Sequence, residues 1–428
     1  MMPANCRMLG TALIAGSFAC GRTPLLQGDS VGGLGGSPST STGGSSGAAA
    51  SAGQASISGG AGNIGSTSNA GGRGTVDGGA KLVEQISLGA GYSCVRLANG
   101  SAWCWGDNEG GTLGVNQGRF STIPVQVASL PNATDITAGW RHCCALISGE
   151  VADCWGSNSY GELGDGTTMG SFVPVRVQGL SEVQSIAAGG NATCVVLIDG
   201  TVQCWGMNDH GQLGNGTTSS SVIPLVVQNL QGAAEVSMGD HCCARMNDRM
   251  VKCWGINDHG QLGDGSTTDR SAPVSVMALS NVTKVSVGYQ SCALIADSTV
   301  RCWGANDHGQ LGNGATADSA TPVFVKSLSG VSQVSAGFSY NCALMYDKTV
   351  RCWGYNGEGQ LGDGTTISKS TPVTVRGLSN VVQIATSAHS CALLADGTVM
   401  CWGPNESGEL GDGTGVQRLT PVLVTGLP

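Results

Sequence analysis

Cysteine spacing is the feature of this sequence that most directly indicates chemistry. Fourteen of the 18 Cys form seven pairs whose two members lie ten residues apart. Two thiols at this separation can meet across a short antiparallel hairpin and oxidise to a disulfide. Seven reduced pairs or zinc sites are the alternatives, although the pairs lack the clustered ligands that zinc prefers. We therefore predict seven disulfides: Cys94/Cys104, Cys144/Cys154, Cys194/Cys204, Cys243/Cys253, Cys292/Cys302, Cys342/Cys352 and Cys391/Cys401.

The residues between the two Cys of a pair are suited to a hairpin turn. In the last pair, a three-residue turn centred on Asp396, with Gly397 in the left-handed region, places Cys391 opposite Cys401. That site is a non-hydrogen-bonded one, where the Cα atoms of facing residues lie about 4.5 Å apart and within disulfide reach. The same left-handed position is predicted for Gly100, Gly200, Glu150, Arg249, Ser298 and Lys348 in the other pairs.

Histidine recurs in two settings that could bind a metal or transfer protons. His210, His259 and His308 each follow an Asp in an Asn-Asp-His-Gly segment, and the other three His lie two residues before a paired Cys. An Asp-His pair can serve as a metal ligand set or an acid/base group. However, Asn-Asp-x-Gly is also a favourable turn sequence, and loops of neighbouring repeats are usually too far apart to share an ion. We predict neither a metal site nor a cofactor.

The elements that position these residues follow from an internal repeat. Cys-Trp-Gly occurs seven times, beginning at Cys104 and ending at Cys401, in steps of 49 or 50 residues. Each unit contains short Val- and Ile-rich runs separated by Gly and Asp, which indicates strands and turns rather than helices. The sequence therefore predicts an all-β fold, a seven-bladed β-propeller of four-stranded blades. We expect the C-terminal strand at Pro421–Val424 to close the ring by completing the first blade.

One unit carries a family resemblance. The segment from Val381 to Gly403 contains Cys391-Ala-Leu and Cys401-Trp-Gly and is followed by a Gly-Glu-Leu-Gly-Asp-Gly-Thr loop. It resembles the regulator of chromosome condensation repeat, and this resemblance extends over residues 81–428. The resemblance implies a seven-bladed propeller. The family includes a nuclear exchange factor for a small GTPase, a secreted bacterial β-lactamase-inhibitor protein and exported bacterial proteins, so it implies less about function.

Aromatic residues collect in one type of loop. Five of them lie between the Ala-Gly segment and the first Cys of a pair, and Arg141 and Asp240 lie in the same loops, which should all emerge on one face of the ring. Aromatic residues and Arg on one face are typical of a protein-binding hot spot. The alternative is that they plug the central channel or pack between blades. The candidate binding residues are Tyr92, Trp140, Arg141, Asp240, Tyr289, Phe338 and Tyr340.

Two cysteines remain without partners in the repeat. Cys143 and Cys242 each lie directly before a paired Cys, where other units have Ser, Thr or Asn. A small buried thiol fits this position; a vicinal disulfide or a reactive thiol is the alternative.

The N-terminal 80 residues indicate export. Arg7 precedes an apolar run that ends near Ala19, as in a signal peptide, and the segment around Cys20 resembles a bacterial lipobox. We predict a signal peptide at 1–19, with lipidation at Cys20 or a plain secretory cleavage nearby. Residues 20–80 would then be a Gly- and Ser-rich tether, since they contain too few apolar side chains for a core. The repeats that follow are predicted at 81–130, 131–180, 181–230, 231–279, 280–328, 329–378 and 379–428.

Charge and composition reduce the number of function classes that fit this sequence. The net charge of −9 and the charged fraction of 11% provide no basic surface for nucleic acid. Paired Cys and an export signal argue against exchange-factor activity on a cytosolic GTPase. We predict a monomeric, non-catalytic binding module for a protein or glycan, attached to the cell envelope at the outer membrane or cell surface, or secreted. The alternatives are a regulatory protein of the exchange-factor type and an exported hydrolase or other enzyme.

Overall fold

Seven antiparallel sheets of four strands each make up residues 82–148 and 151–428, the part of the chain that the computed structural model describes. The predicted seven-bladed propeller is confirmed. Each blade consists of four strands that are consecutive in the sequence. The predicted signal peptide, Cys20 and the tether lie outside the described residues. Within the described part, no helix is long and apolar enough to cross a membrane.

The strand bounds repeat with the sequence period. Blades 1 to 3 contain β1 (Val83–Leu88), β2 (Tyr92–Leu97), β3 (Ala102–Asp107), β4 (Phe120–Gln126), β5 (Ala133–Ala138), β6 (His142–Ile147), β7 (Val151–Gly156), β8 (Ser171–Arg176), β9 (Val183–Gly189), β10 (Ala192–Leu197), β11 (Val202–Gly206) and β12 (Ser221–Val226). Blades 4 and 5 contain β13 (Ala233–Met238), β14 (His241–Met246), β15 (Val251–Gly255), β16 (Arg270–Ser275), β17 (Val282–Val287), β18 (Gln290–Ile295), β19 (Val300–Gly304) and β20 (Ser319–Phe324). Blades 6 and 7 contain β21 (Val331–Ala336), β22 (Tyr340–Met345), β23 (Val350–Gly354), β24 (Lys369–Thr374), β25 (Val381–Thr386), β26 (Ser390–Leu394), β27 (Val399–Gly403) and β28 (Arg418–Leu423).

The four strands of a blade differ in burial because each occupies a different radius. The first strand of every blade lines the central cavity, and the second is buried almost throughout, as in β2. The fourth strand is the outer edge, and it is half-buried or exposed along most of its length. Every fourth strand contains a Pro, for example Pro322 in β20. Since Pro has no N–H to donate, it is tolerated at an edge strand and opposes continued pairing.

All seven predicted cysteine pairs are disulfide-bonded. Each disulfide joins facing residues of the second and third strands of one blade. The Cα atoms of a pair lie 4.0 to 4.1 Å apart, which is closer than the separation of about 4.5 Å that the sequence predicted for a facing pair. The disulfides are Cys94–Cys104, Cys144–Cys154, Cys194–Cys204, Cys243–Cys253, Cys292–Cys302, Cys342–Cys352 and Cys391–Cys401.

The hairpin turns between the paired Cys have the predicted left-handed residue. The backbone φ is +66° at Arg249 and Ser298 and +68° at Lys348. Glu150 lies outside the described residues. Each of these disulfides therefore closes a hairpin with the turn geometry that the sequence predicted.

The Trp of each Cys-Trp-Gly segment joins its blade to the preceding one. All seven side chains are at most 1% exposed. The Trp155 indole N–H donates to the carbonyl of Thr112 in blade 1 (3.0 Å). Gly114, two residues after Thr112, has a φ of +69°, and a side chain there would collide with Trp155 and Val127. In every loop the Gly of the Leu-Gly pair therefore leaves the space in which the indole of the next blade packs.

The predicted closure by the C-terminal strand is wrong. Residues Pro421 to Leu423 belong to β28, which pairs with β27 in blade 7, and the first blade is already complete with β1 to β4. The prediction treated the Pro-Val-x-Val segment as the start of a unit, whereas it is the outer strand that ends one. Blade 7 instead meets blade 1 by the same contacts as every other joint, including the Trp105 N–H bond to the Glu409 carbonyl (2.9 Å).

Candidate binding face

Two sets of loops emerge at the same end of the ring. Because the strands of a blade are antiparallel, the loop between its first and second strands and the loop between its third and fourth strands lie on one side. We call this side the loop face. It consists of residues 89–91, 108–119, 139–141, 157–170, 190–191, 207–220, 239–240, 256–269, 288–289, 305–318, 337–339, 355–368, 387–389 and 404–417.

Three of the predicted aromatic residues meet at the centre of the loop face. Tyr289 stacks on Phe338 with ring centroids 5.2 Å apart, and Trp140 meets both rings edge-on, at 6.5 Å from Tyr289 and 5.9 Å from Phe338. The three come from blades 2, 5 and 6, so they gather over the central cavity rather than along one side of the ring. We call this cluster the aromatic hub. Tyr289 is 37% exposed, and the other two rings are half-buried.

The backbone holds the hub loops in place. The N–H of Trp140 donates to the carbonyl of Gly190 in blade 3 (3.1 Å), and its carbonyl accepts from Ala90 in blade 1 (3.3 Å). The N–H of Phe338 donates to the Ser387 carbonyl in blade 7 (3.2 Å). Neighbouring loops are therefore bonded to one another around the mouth of the channel, which presents the hub as a preorganised surface.

Tyr92 and Tyr340 do not belong to the exposed surface, which corrects their assignment as candidate binding residues. Each is 1% exposed and begins a second strand. The Tyr340 hydroxyl donates to the carbonyl of His389 (2.6 Å), and the Tyr92 hydroxyl lies against the carbonyls of Gly139 and His142. These two residues fill space between blades, as the alternative interpretation of the aromatic loops expected.

Arg141 and Asp240 remain on the loop face, but their environments differ. The side chain of Arg141 is 56% exposed and lies 3.6 Å from the Glu109 carboxylate. Asp240 is half-buried. Its pKa is raised to about 6, first by desolvation and then by the negative charge of Asp258, while His210 acts in the opposite direction. The surroundings of Asp240 therefore disfavour the charged form of its carboxylate.

A cavity of about 580 Å³ lies beneath the hub and is lined by the first strand of every blade. The third residue of each of these strands forms a ring of polar side chains. Gln383 shows what the ring does: its amide accepts from the Ile86 N–H (3.0 Å) and donates to the Ile86 carbonyl (3.3 Å), which joins blade 7 to blade 1. In blade 4, the Glu235 carboxylate pairs with Arg245 of the same blade (3.2 Å) and with Lys284 of blade 5 (3.7 Å). These groups bind the blades together, so the wall of the cavity is structural.

The disulfide cysteines lie apart from both the hub and the cavity. Every one of them is at most 1% exposed, and none lines the central cavity. The third-strand members pack in hydrophobic clusters that contain the Trp of the following blade. The pairs in four of these clusters are Cys154 with Trp205, Cys204 with Trp254, Cys253 with Trp303, and Cys352 with Trp402. The disulfides are therefore part of the joints between blades rather than of a binding surface.

The histidines take structural positions. His210 and His259 bond to Asp269 (2.8 Å) and Asp318 (2.7 Å), each in the following blade. Among residues 82–148 and 151–428, no group of three or more His, Cys, Asp or Glu is placed to hold a metal ion. His308 lies 3.4 Å from the Asp307 carboxylate, and its ring packs against Tyr355 with centroids 4.9 Å apart. The other three His are buried, and burial lowers their pKa values to about 4, 3 and 3; they are His142, His241 and His389.

Cys143 and Cys242 are free and buried. The Sγ of Cys143 lies 3.9 Å from that of Cys94 in the preceding blade, and the Sγ of Cys242 lies 3.8 Å from that of Cys194. Burial raises both thiol pKa values well above their usual range. This is the environment of an inert thiol, because the reactive species is the thiolate.

Sequence reasoning missed the strong charge difference between the two ends of the ring. The loop face contains fifteen Asp and Glu against two Arg, whereas the described loops of the opposite end contain six Asp and Glu against four Lys and Arg. A signal was present in the sequence, because an acidic residue follows the buried loop Asn by one or two positions in six units. We call these groups the tip carboxylates: Glu109, Asp209, Asp258, Asp307, Glu358 and Glu406.

The repeat can now be compared with known families. A family described as regulator of chromosome condensation (RCC1) repeat matches residues 99–146, 154–196, 199–245, 251–295, 297–344 and 349–394. The chain belongs to this family. A second description of the RCC1 repeat matches residues 83–112, 183–212, 239–261, 331–360 and 382–409. No curated protein sequence matches the chain.

Solved structures of other proteins share the fold at low identity. Human WBSCR16 is 23% identical, with a TM-score of 0.66 over 73% of this chain and 85% of that one. Yeast RCC1 (Prp20), in a structure bound to Kap60, is 18% identical, with a TM-score of 0.68 over 81% of this chain and 84% of that one. At this level of identity the likeness concerns architecture. The seven disulfides of this RCC1-repeat chain indicate an oxidising environment.

Proposed function

We propose that this protein is a non-catalytic, extracytoplasmic binding module whose loop face engages a protein or glycan ligand through the aromatic hub. One observation carries the proposal: Trp140, Tyr289 and Phe338 converge from three blades into one partly exposed cluster. Rigid aromatic side chains at the centre of a surface provide large contact area at low entropic cost. Arg141 and Asp240 flank the hub as polar contacts.

Propellers of this family support binding as the mode of action. Yeast Prp20p, which is 18% identical to this chain, has been studied for its binding to Gsp1p and histones, and a second structure holds it with Kap60. We carry over only the general mode, which is recognition of another macromolecule by a rigid ring. The exchange-factor alternative is less favoured, because seven disulfides fit an oxidising compartment rather than one that holds cytosolic GTPases.

An exported enzyme is the other alternative. It would require acid/base groups that converge on one exposed point. Of the described titratable groups near the hub, Asp240 is half-buried and Tyr289 has its pKa raised to about 12 by burial and by the charge of Asp240. The aromatic cluster is better suited to contact than to proton transfer.

We further propose that the ring is held at the cell envelope as a monomer. Lipidation at Cys20 would anchor the chain, and residues 20–80 would separate the ring from the membrane surface. The protein would otherwise be secreted if Cys20 is not acylated. Both arrangements leave the loop face accessible to a ligand.

The test compares two triple variants of the soluble ring. The first replaces Trp140, Tyr289 and Phe338 with Ala on the loop face. We expect this variant to lose a ligand that the wild type captures from an envelope extract, while it still melts cooperatively. The matched control replaces three exposed apolar residues of the opposite end and should capture normally. Equal capture by all three proteins would contradict the proposal. The control residues are Ile198, Met250 and Tyr346, whose exposed fractions are 56%, 38% and 66%.

A further inference from the structure

A second, smaller cavity opens beside the aromatic hub, between blades 3 and 4. Its volume is about 160 Å³, and it is lined by Trp140, Met207, Ile256, Gln212 and Asp240, among others. A cavity of this size accommodates a group as large as benzene, for which about 150 Å³ is sufficient. The cavity therefore has room for one side chain of a ligand that lies across the hub.

The lining of this cavity combines two kinds of chemistry. Trp140, Met207 and Ile256 provide apolar walls, and Asp240 provides a carboxylate. His210 also lines the cavity, and its Nδ1 is bonded to Asp269 (2.8 Å) rather than to Asp240. Within residues 82–148 and 151–428, no protein donor forms a hydrogen bond or a close ion pair with the Asp240 side chain, and the charge of His210 offsets its desolvation only in part. A partly desolvated carboxylate without a hydrogen-bonded partner is costly to the folded state. A cationic ligand that entered the cavity would remove this cost, so Asp240 favours a cation over a neutral or anionic group.

We propose that this cavity receives a lysine or arginine side chain from a basic segment of a partner protein, with the alkyl stem against Trp140 and the cationic head at Asp240. This inference rests on the proposed function, because it names the partner of the same loop face. The long stem of a basic side chain packs readily on apolar walls while its head pairs with a carboxylate. The face of Trp140 adds attraction for the cation.

The charge around the cavity points to a segment rather than to a lone amine. The tip carboxylates belong to the same face as the hub, and the side chains of Asp258 and Asp307 are 60% and 71% exposed. Only Arg119 and Arg141 offset the fifteen acidic residues of the loop face. A chain with several positive charges would be attracted to the whole rim, whereas a single amine would interact with Asp240 alone.

The experiment uses the soluble ring and a short peptide of alternating lysine and alanine as the probe, with a glutamate–alanine peptide as the charge control. Tryptophan fluorescence and calorimetry report binding. We compare Asp240→Asn with Asp199→Asn, which removes one exposed carboxylate from the opposite end. Both variants have the same net charge. We expect Asp240→Asn to weaken binding of the lysine peptide about tenfold or more, as for loss of a buried charge pair, and Asp199→Asn to leave it unchanged.

A second comparison tests the source of the cation. n-Butylammonium, a free amine, should bind at least about tenfold more weakly than the peptide, and its affinity should not respond to Asp209→Asn combined with Asp307→Asn. The peptide should lose affinity in that double variant. Tighter binding of the free amine than of the peptide would overturn the assignment to a protein segment.

The result separates this inference from the proposed function. If Asp240→Asn and Asp199→Asn weaken the peptide equally, binding follows net charge and the cavity assignment fails. The hub proposal would still stand if the Trp140, Tyr289 and Phe338 triple variant lost its captured ligand. Conversely, peptide binding could depend on Asp240 while the hub variant still captures its ligand. That result would support the cavity assignment and overturn the hub proposal.

Discussion

The Nε2 atom of His389, in the last blade, lies 2.7 Å from the Oγ atom of Ser93, in the first blade. The Ser93 hydroxyl donates to the Glu409 carbonyl (2.9 Å), so its oxygen accepts from the imidazole and His389 carries its proton on Nε2. The same link joins other blades through two further pairs, His142 with Thr193 and His241 with Ser291. The joint that closes the ring is thus equivalent to the internal joints, and it uses a neutral histidine.

Replacing His389 with Gln should change how stability depends on pH. Burial lowers the folded-state pKa of His389 to about 3, whereas an unfolded His titrates near about 6.5. Below that pH the unfolded state takes up a proton that the folded state does not, so His389 lowers stability as the pH falls. Gln can replace its donor, as Gln290 does toward Asn341 (2.9 Å). The unfolding free energy of His389→Gln, measured relative to that of the wild type, should therefore be about 2 kcal/mol more favourable at about pH 5 than at about pH 7.5.

Denaturant unfolding at the two pH values, with disulfides intact, measures this difference. The comparison of the two proteins cancels the opposite contributions of Asp135 and Glu409, whose pKa values are raised to about 6 and 7. A stability difference that is the same at both pH values would show that His389 is not buried in its neutral form.

Removing one disulfide should cost about 2 to 3 kcal/mol of unfolding free energy, because each one closes a short loop. Cys292→Ala combined with Cys302→Ala tests this in blade 5, where the two Cys are ten residues apart. Cys242→Ala is the control, since it removes a buried sulfur without breaking a bond. Guanidinium unfolding under non-reducing conditions should show a larger loss for the double variant; equal losses would contradict a stabilising disulfide.

The two free thiols should be unreactive in the folded protein. Both are buried with raised pKa values, so alkylation should require unfolding. Cys143→Ser should change stability by no more than about 1 kcal/mol, because the new hydroxyl can donate to a loop carbonyl as Ser93 does. Rapid labelling of the native protein by iodoacetamide would be inconsistent with this environment.

The left-handed turn positions offer a stabilising change. Ser298 has a φ of +66°, where glycine is the favoured residue, so Ser298→Gly should raise stability by about 0.5 to 1 kcal/mol. Gly200→Ser is the reverse change. Its φ is +81°, and a side chain would approach the Gly232 backbone, so it should lower the melting temperature. A stability change of the same sign in both variants would contradict the turn geometry.

The repeat made the fold predictable, because a 49- to 50-residue period, turn residues and paired Cys all indicate the same blade. The phase of the repeat was harder to predict, since Pro421–Val424 can be read as either the first or the last strand of a unit. Pro within it is compatible with an outer edge, which is where it lies.

The binding face was predictable only in part. Tyr92 and Tyr340 lie two residues before a paired Cys, so strand alternation directs them to the same side as the buried Cys. Trp140, Tyr289 and Phe338 lie three or four residues before it, in the loop itself. That difference was available from the sequence. The contact among blades 2, 5 and 6 was not, because it depends on the width of the closed ring.

The most direct test of the account is site-specific photo-crosslinking in the producing cells. A photoreactive amino acid would replace Tyr289 on the loop face or, in the control, Ile198 at the opposite end. We predict a discrete, light-dependent adduct from position 289 and none from position 198. Adducts from position 198 alone, or the same adducts from both positions, would contradict recognition by the loop face.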